Sequence, residues 1–449
     1  MTKTIFLSCF HPYTSRNLLA TDALAELVRY NDIRIVVFVN AHKKEYIAKM
    51  FGAPNVIVEG VNFAAPSRRF STLIMKRLAK YCLNSNSVRI ERYIKWRLEK
   101  KYGYLLMSGV AAIVSSSKLL RRAMRALDYR VAEKSRYAAF FNAYRPDAVV
   151  ITDILNERDV ELAQNARSCN VPIAGMVRSW DNLTLHGLMR IVPEKLLVAS
   201  EEVKRMAQKL DDCPPENVEI VGVAHYDKYF HGPTKDRAQF LQEMKLTGSN
   251  KIILFAPIGD FYIARNTTDS YVVSLLSSLK DEVIVRFSPT VPVKNLEDAA
   301  PGKRMIFDRP GVNFRGKDIG DQELSEEDDS RLLNEIAYSD VVICGPSTVA
   351  LDAVFLDKPV IIVGFHPDER TYYTGIARRY DFDHFKLAIK TGAFRVATSK
   401  EELFSLIEKY EKNPGIDADG RNRLRKLYCG PQDGKSGMRI ARAIRGMIA

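Results

Sequence analysis

The segment Ser339–Ala353, SDVVICGPSTVALDA, reads as an apolar strand running into a Gly-Pro turn and then a helix. A helix that begins at Ser347 or Thr348 exposes unpaired N–H groups and the positive end of its dipole, a chemistry suited to phosphate. The hydroxyls of Ser347 and Thr348 add donors, and Gly345, Pro346 and Asp352 complete this first candidate set. The plainer alternative is that Ser347 only caps the helix. Arg286-Phe287-Ser288-Pro289 ends another apolar run. An arginine there could grip a diphosphate through two parallel hydrogen bonds, with Ser288 beside it, or could be a simple surface cation. In Ala256-Pro257-Ile258-Gly259, Gly259 permits close backbone approach to a ligand, or forms an ordinary turn.

The first half of the chain carries a different set. Arg178-Ser179-Trp180-Asp181-Asn182-Leu183-Thr184 holds one of two tryptophans beside polar side chains. Such a group can stack on a sugar ring and bind its hydroxyls, unless the tryptophan is buried and the polar groups serve a turn. Asp153 and Asn156 follow the run Ala148–Thr152. Asp153 is the leading candidate base and Asp181 the second, with Arg178 beside them; loop capping is the alternative role. Arg16 and Asn17, in the loop after the first strand, join Asn156, Trp180 and Asn182 as candidate acceptor contacts.

Positioning these residues requires alternating strands and helices. Thr4–Phe10, Ile33–Val39, Ala148–Thr152, Pro172–Met176, Lys195–Ala199 and Val218–Val221 are apolar strands, interspersed with helical spacing at 18–30, 158–169 and 201–210. Lys251–Ala256, Glu282–Phe287, Met305–Phe307, Asp340–Cys344 and Pro359–Val363 form a second series after the break His231-Gly232-Pro233-Thr234. Strands this apolar belong to parallel sheets covered on both faces. The expected architecture is α/β, with two doubly wound domains, 1–230 and 231–449, facing a cleft, and a C-terminal helix.

Residues 67–136 interrupt the first series and read as two or three inserted helices. The net charge of +13 is concentrated there, since Val61–Phe140 holds 18 Lys/Arg against 4 Asp/Glu. No nucleic-acid-binding module accompanies this charge, so nucleic acid is not an expected partner. Amphipathic basic helices of this kind suit an anionic membrane surface, or are a solvated charged face. No stretch reaches the roughly 18 apolar residues of a membrane span, and no signal peptide is evident, so the expected location is cytoplasmic, peripheral on the inner membrane face. The six cysteines form no C-x-x-C pair, and Asp381-Phe382-Asp383 lies in a peripheral loop. No metal site or cofactor is expected.

The stretch DVVICGPSTVALDAVFLDKP, 340–359, resembles the donor-binding element of GT-B glycosyltransferases near the CDP-glycerol glycerophosphotransferases and capsule polysaccharide glycosyltransferases. The UDP-GlcNAc 2-epimerases are more distant relatives by the same element. The tail Asp433–Ala441 resembles the glycerophosphotransferase C-terminal pattern, and Ser-Trp-Asp-Asn-Leu-Thr looks like a motif of surface-polysaccharide transferases. Relatives follow the strand ending at Phe287 with His-Pro, whereas this chain has Ser288-Pro289.

The resemblance implies a glycosyltransferase. It would move a sugar from a nucleotide-sugar, taken as substrate, to a glycan or lipid-linked glycan acceptor in bacterial surface polysaccharide synthesis. Alternatives are a CDP-alditol phosphotransferase of teichoic-acid type, a sugar epimerase, and a non-catalytic protein binding an acidic polymer.

Overall fold

The computed structural model describes residues 2–63, 70–263, 265–293, 296–300, 305–314 and 321–448. The chain forms two compact units. The first comprises Met1–His225, Phe382–His384 and Gly430–Ala449, and the second Tyr226–Asp381 and Phe385–Cys429. The division falls five residues before the expected 230/231 boundary. The expected unbroken second domain is also corrected, because residues 430–449 return to the first unit. Their helix Ser436–Arg445 turns Ile440, Ala441 and Ile444 into the same apolar core as Leu24 and Leu27.

The first unit is built on a parallel sheet of seven strands: β1 (Lys3–Cys9), β2 (Ile33–Asn40), β3 (Val56–Val61), β4 (Ala148–Ile151), β5 (Ile173–Met176), β6 (Lys195–Val198) and β7 (Val218–Ile220). Their order is β3-β2-β1-β4-β5-β6-β7, with Ile5 beside both Ile35 and Ala148. The order reverses between β1 and β4. Loops leaving the two strands there depart in opposite directions and open a crevice at the carboxyl ends.

Helix α1 (Asp22–Val28) packs against the sheet. Among the described residues, the basic insert contains four α-helices rather than two or three: α2 (Phe70–Tyr81), α3 (Asn86–Tyr93), α4 (Gly103–Ser116) and α5 (Lys118–Val131). A π-helical turn at Ile94–Leu98 follows α3. The start of the insert, 67–69, lies outside the described residues. Helix α6 (Glu157–Ser168) follows β4.

The second unit repeats the plan with β8 (Ile252–Ala256), β9 (Glu282–Arg286), β10 (Met305–Asp308), β11 (Val341–Cys344), β12 (Val360–Val363) and β13 (Arg395–Ala397). All pair in parallel, in the order β10-β9-β8-β11-β12-β13. Its reversal lies between β8 and β11. Helices α7 (Glu326–Tyr338) and α8 (Val349–Phe355) flank β11. Ser325 caps α7 in a reciprocal pair with Asp328. That accounts for part of the acidic run 318–329; residues 318–320 lie outside the described residues.

Candidate functional site

The first unit gathers its polar chemistry at the β1/β4 reversal. His11 follows β1 and caps the helical turn Pro12–Thr14, where Pro12 takes the first helical position. The Tyr13 N–H donates to His11 Nδ1 at 3.2 Å. A neutral ring that accepts at Nδ1 carries its proton on Nε2, so His11 offers an N–H donor. Burial, and then the charge of Arg178, push its pKa down to about 3. The ring is therefore neutral at physiological pH.

Asp153 follows β4. Its Oδ2 accepts from Arg178 Nε at 2.7 Å, and its Oδ1 accepts from Asn182 Nδ2 at 3.0 Å and Leu155 N at 3.2 Å. Behind it, buried Asp159 on the first turn of α6 accepts from the N–H groups of Thr152 and Asp153 and from the Ser8 hydroxyl. Burial and the neighbouring Asp153 raise Asp159 to about 7. With both oxygens engaged, Asp153 holds Arg178 rather than standing ready to take a proton. Arg178, after β5, uses only Nε in that pair; its terminal nitrogens have no described partner. Burial opposes its charge, but Asp153 outweighs burial and keeps the guanidinium firmly ionised. The result is a fixed fork suited to a phosphate or carboxylate.

Asp181 stands beside this pair. Burial pushes its pKa up, but the hydrogen bond and charge of His186 and the charge of His384 hold it well below the usual carboxylate range. His186 Nε2 lies 3.4 Å from Asp181 Oδ2, and the imidazole is the more exposed partner. A ring whose Nε2–H faces a carboxylate keeps a lone pair on Nδ1, the arrangement of an oriented base. His186 also acts electrostatically on His11. His186 was not among the residues expected from sequence, and His11 only opens the expected loop that holds Arg16 and Asn17. The position of His11 directly after the first strand was the available signal.

Several expected contacts are corrected. Trp180 is buried and packs edge-on against His384, with centroids 5.1 Å apart, so its faces are not open to a sugar. Asn182 is buried and orients Asp153. Asn156 caps α6 by accepting from Arg158 N at 2.9 Å. Arg16 donates from Nε to His225 Nδ1 at 3.2 Å. Asn17, one residue on, is half-buried with Oδ1 enclosed.

In the second unit, Gly345–Thr348 leaves β11 at the reversal beside β8. Gly345 is required there by close approach, since a Cβ would stand 2.7 Å from Ile258 Cγ1. Ser347 Oγ accepts from Val349 N at 3.4 Å, a weak local bond, and Thr348 makes no side-chain cap. Thr348 is exposed and Ser347 half-buried, so both hydroxyls reach solvent.

The other expected donor contacts are not in position. Arg286 is buried and fully enclosed, pairing with Asp308 at 2.5 Å and Glu335 at 3.1 Å and donating to the Asp328 carbonyl at 2.8 Å. It is therefore a core ion-pair residue and not a diphosphate clamp. The N–H groups of Ile258 and Gly259 both donate to buried Asp269, at 2.7 and 2.8 Å, so an internal carboxylate occupies that turn. Ser288 turns toward Thr290 at 3.3 Å. Asp352 is buried, near Cys344 and Cys429, whose thiols burial and then Asp352 raise. Asp381 and Asp383 do not converge: the first meets Tyr372 and Lys386, the second Ser87.

Comparison with known proteins agrees with this architecture. A model of the family "CDP-Glycerol:Poly(glycerophosphate) glycerophosphotransferase" matches residues 320–446, a span containing Gly345–Thr348 and the tail motif. No curated protein sequence matches the chain. Among solved structures, a UDP-GlcNAc 2-epimerase from Neisseria meningitidis bound to UDP-GlcNAc is 10% identical, with TM-score 0.56 over 99% of each chain. A UDP-N-acetylglucosamine 2-epimerase is 14% identical, with TM-score 0.55 over 99% of this chain and 96% of that one. The glycotransferase of kitacinnamycin is 12% identical, with TM-score 0.53 over 100% of both chains. The fold is thus of the GT-B type, and residues 320–446 are similar to the CDP-glycerol glycerophosphotransferases.

Proposed function

We propose that the chain is a glycosyltransferase that moves a sugar from a nucleotide-sugar to a hydroxyl of a lipid-linked glycan in bacterial surface polysaccharide synthesis. The observation that carries this reading is the Asp181–His186 pair standing beside the Arg178 fork. His186 Nδ1 takes the proton of the acceptor hydroxyl as its oxygen bonds to the anomeric carbon. Asp181 stabilises the imidazolium that forms. The bond from that carbon to the diphosphate breaks, and the nucleoside diphosphate leaves. Arg178 and the Nε2–H of His11 hold oxygens of the bound substrate, and Asp153 and Asn182 fix Arg178 in place.

The diphosphate is assigned to Gly345–Thr348, whose position at the β8/β11 reversal and whose exposed hydroxyls support it. The family match over the same span supports a nucleotide-activated donor. Measuring nucleotide release with His186→Gln and Asp181→Asn tests the reading. Wild-type rates in both variants would remove it.

The family match also favours a second reading, transfer of an alditol phosphate from a CDP-alditol. There the hydroxyl attacks phosphorus and CMP leaves. With a CDP-linked donor, release of CMP rather than CDP identifies that reaction.

A further inference from the structure

Helix α5 of the insert turns charged side chains inward and apolar ones outward. On α5, Arg121, Arg125 and Asp128, spaced i, i+4, i+7, face inward. Arg121 pairs with Asp212 at 2.6 Å, Arg125 donates to the Met189 and Asp211 carbonyls, and Asp128 pairs with Arg190 at 2.9 Å. The opposite face presents Leu119 at 73%, Leu120 at 39% and Leu127 at 51% exposure. Helices of soluble domains place their apolar stripe toward the core, so this reversal needs an apolar environment outside. On α4 no residue is charged, and Leu105, Leu106 and Ile113 are 54%, 76% and 62% exposed.

The surroundings state which apolar environment. Exposed Lys100 and Lys101 precede α4, and exposed Lys118 and Arg122 follow it, with Tyr102 71% exposed at its start. Lys76, Arg77, Lys80 and Arg130 are exposed on α2 and α5. Between 70 and 131 the exposed acid is Glu99, which Lys95 and Lys101 neutralise, each at 2.5 Å. An apolar centre within a cationic rim and an aromatic edge matches the interfacial layer of an anionic bilayer. A surface so uniformly positive repels a second copy of itself.

The face does not span. Among the described residues, no single helix is long and apolar enough to cross a membrane; only α4 and α5 together pass on length and composition, and they bend by 112°. Fourteen residues reach about 21 Å, short of a hydrocarbon core of about 30 Å. The inward ion pairs also fasten α5 to the first unit.

We propose that α4 and the outer face of α5 lie in the headgroup layer of an anionic membrane. Leu105, Leu106, Ile113 and Leu119 enter the acyl boundary, and Lys100, Lys101, Lys118 and Arg122 meet lipid phosphates. This attachment is independent of the transfer reaction.

The test is flotation of the full chain with phosphatidylcholine vesicles, with and without phosphatidylglycerol, at low and high salt. Binding is expected to phosphatidylglycerol vesicles, weakened by salt. It should fall about tenfold or more in Leu106→Ser/Ile113→Ser and in Lys118→Glu/Arg122→Glu, but not in the control Lys390→Glu. All four substituted side chains are exposed, so thermal stability should hold. In Leu106→Trp, indole emission should shift to the blue on vesicle binding. Three results overturn the proposal: no flotation at low salt, unchanged flotation of both double variants, or a solution dimer that Leu106→Ser/Ile113→Ser dissolves without any vesicle binding.

Discussion

Arg178 Nε donates to Asp153 Oδ2 at 2.7 Å across the ends of the adjacent strands β5 and β4, and this bond leaves the outer nitrogens of the guanidinium facing away from its partner. A cation held by one carboxylate through Nε alone keeps its terminal nitrogens for an anion. Arg178→Lys loses the fork while keeping the charge. It should raise the acceptor KM about 10-fold or more with little change in Tm, read from steady-state rates and thermal unfolding.

Asp153→Asn should act differently. It removes the carboxylate that holds Arg178, leaving a largely buried cation without its counter-charge. Loss of both activity and up to about 3 kcal/mol of stability is expected in denaturant titration. An unchanged stability would mean that the pair is not the frame of the site.

The two histidines should separate in steady-state kinetics. His11 titrates near 3 because burial and Arg178 disfavour its charged form, so it stays neutral across the working range. His186→Gln should lower kcat about 100-fold or more. His11→Gln should lower kcat/KM with a smaller effect on kcat. A larger loss of kcat in His11→Gln than in His186→Gln would exchange their roles.

The strands were legible because uninterrupted apolar runs such as Ile35–Val39 and Val341–Cys344 fit the interior of a parallel sheet. The turn at Gly345-Pro346 was legible too, since a Gly-Pro pair ends an apolar strand, but the close approach of Gly345 to Ile258 was not. Side-chain destinations were not. Arg286 reads as a strand-end cation, and its partners Asp308 and Glu335 lie 22 and 49 residues away. Trp180 reads as a sugar platform until the ring of His384, far along the chain, covers it. The inward arginines of α5 were hidden for the same reason: Asp212 and Asp211 come from beyond the insert. Helix periodicity shows two faces without showing which one is inside.

Arg286 supplies a stability prediction. Arg286→Met should leave donor KM unchanged but destabilise by about 3 kcal/mol, because Glu335 loses its paired cation while Asp308 keeps only Arg331, at 2.9 Å. Burial is the largest influence on Glu335 and raises it to about 8. A folded pKa above the unfolded value, near 4.3, means the folded state binds the extra proton. The stability this group contributes is full below about pH 4 and is lost as pH rises through about 8. Glu335→Gln should therefore flatten that decline in Tm measured across the interval.

The central claim is a nucleotide-activated donor held at Gly345–Thr348. The most direct measurement is thermal unfolding of the full chain with UDP, CDP, GDP and CMP, beside Ser347→Ala/Thr348→Ala. Ligand at about 100 times its Kd adds about 2.7 kcal/mol, a rise of a few degrees. At least one of the four nucleotides should raise Tm in the wild type and fail to do so in the double variant. No shift with any nucleotide, or an equal shift in the variant, would contradict the account.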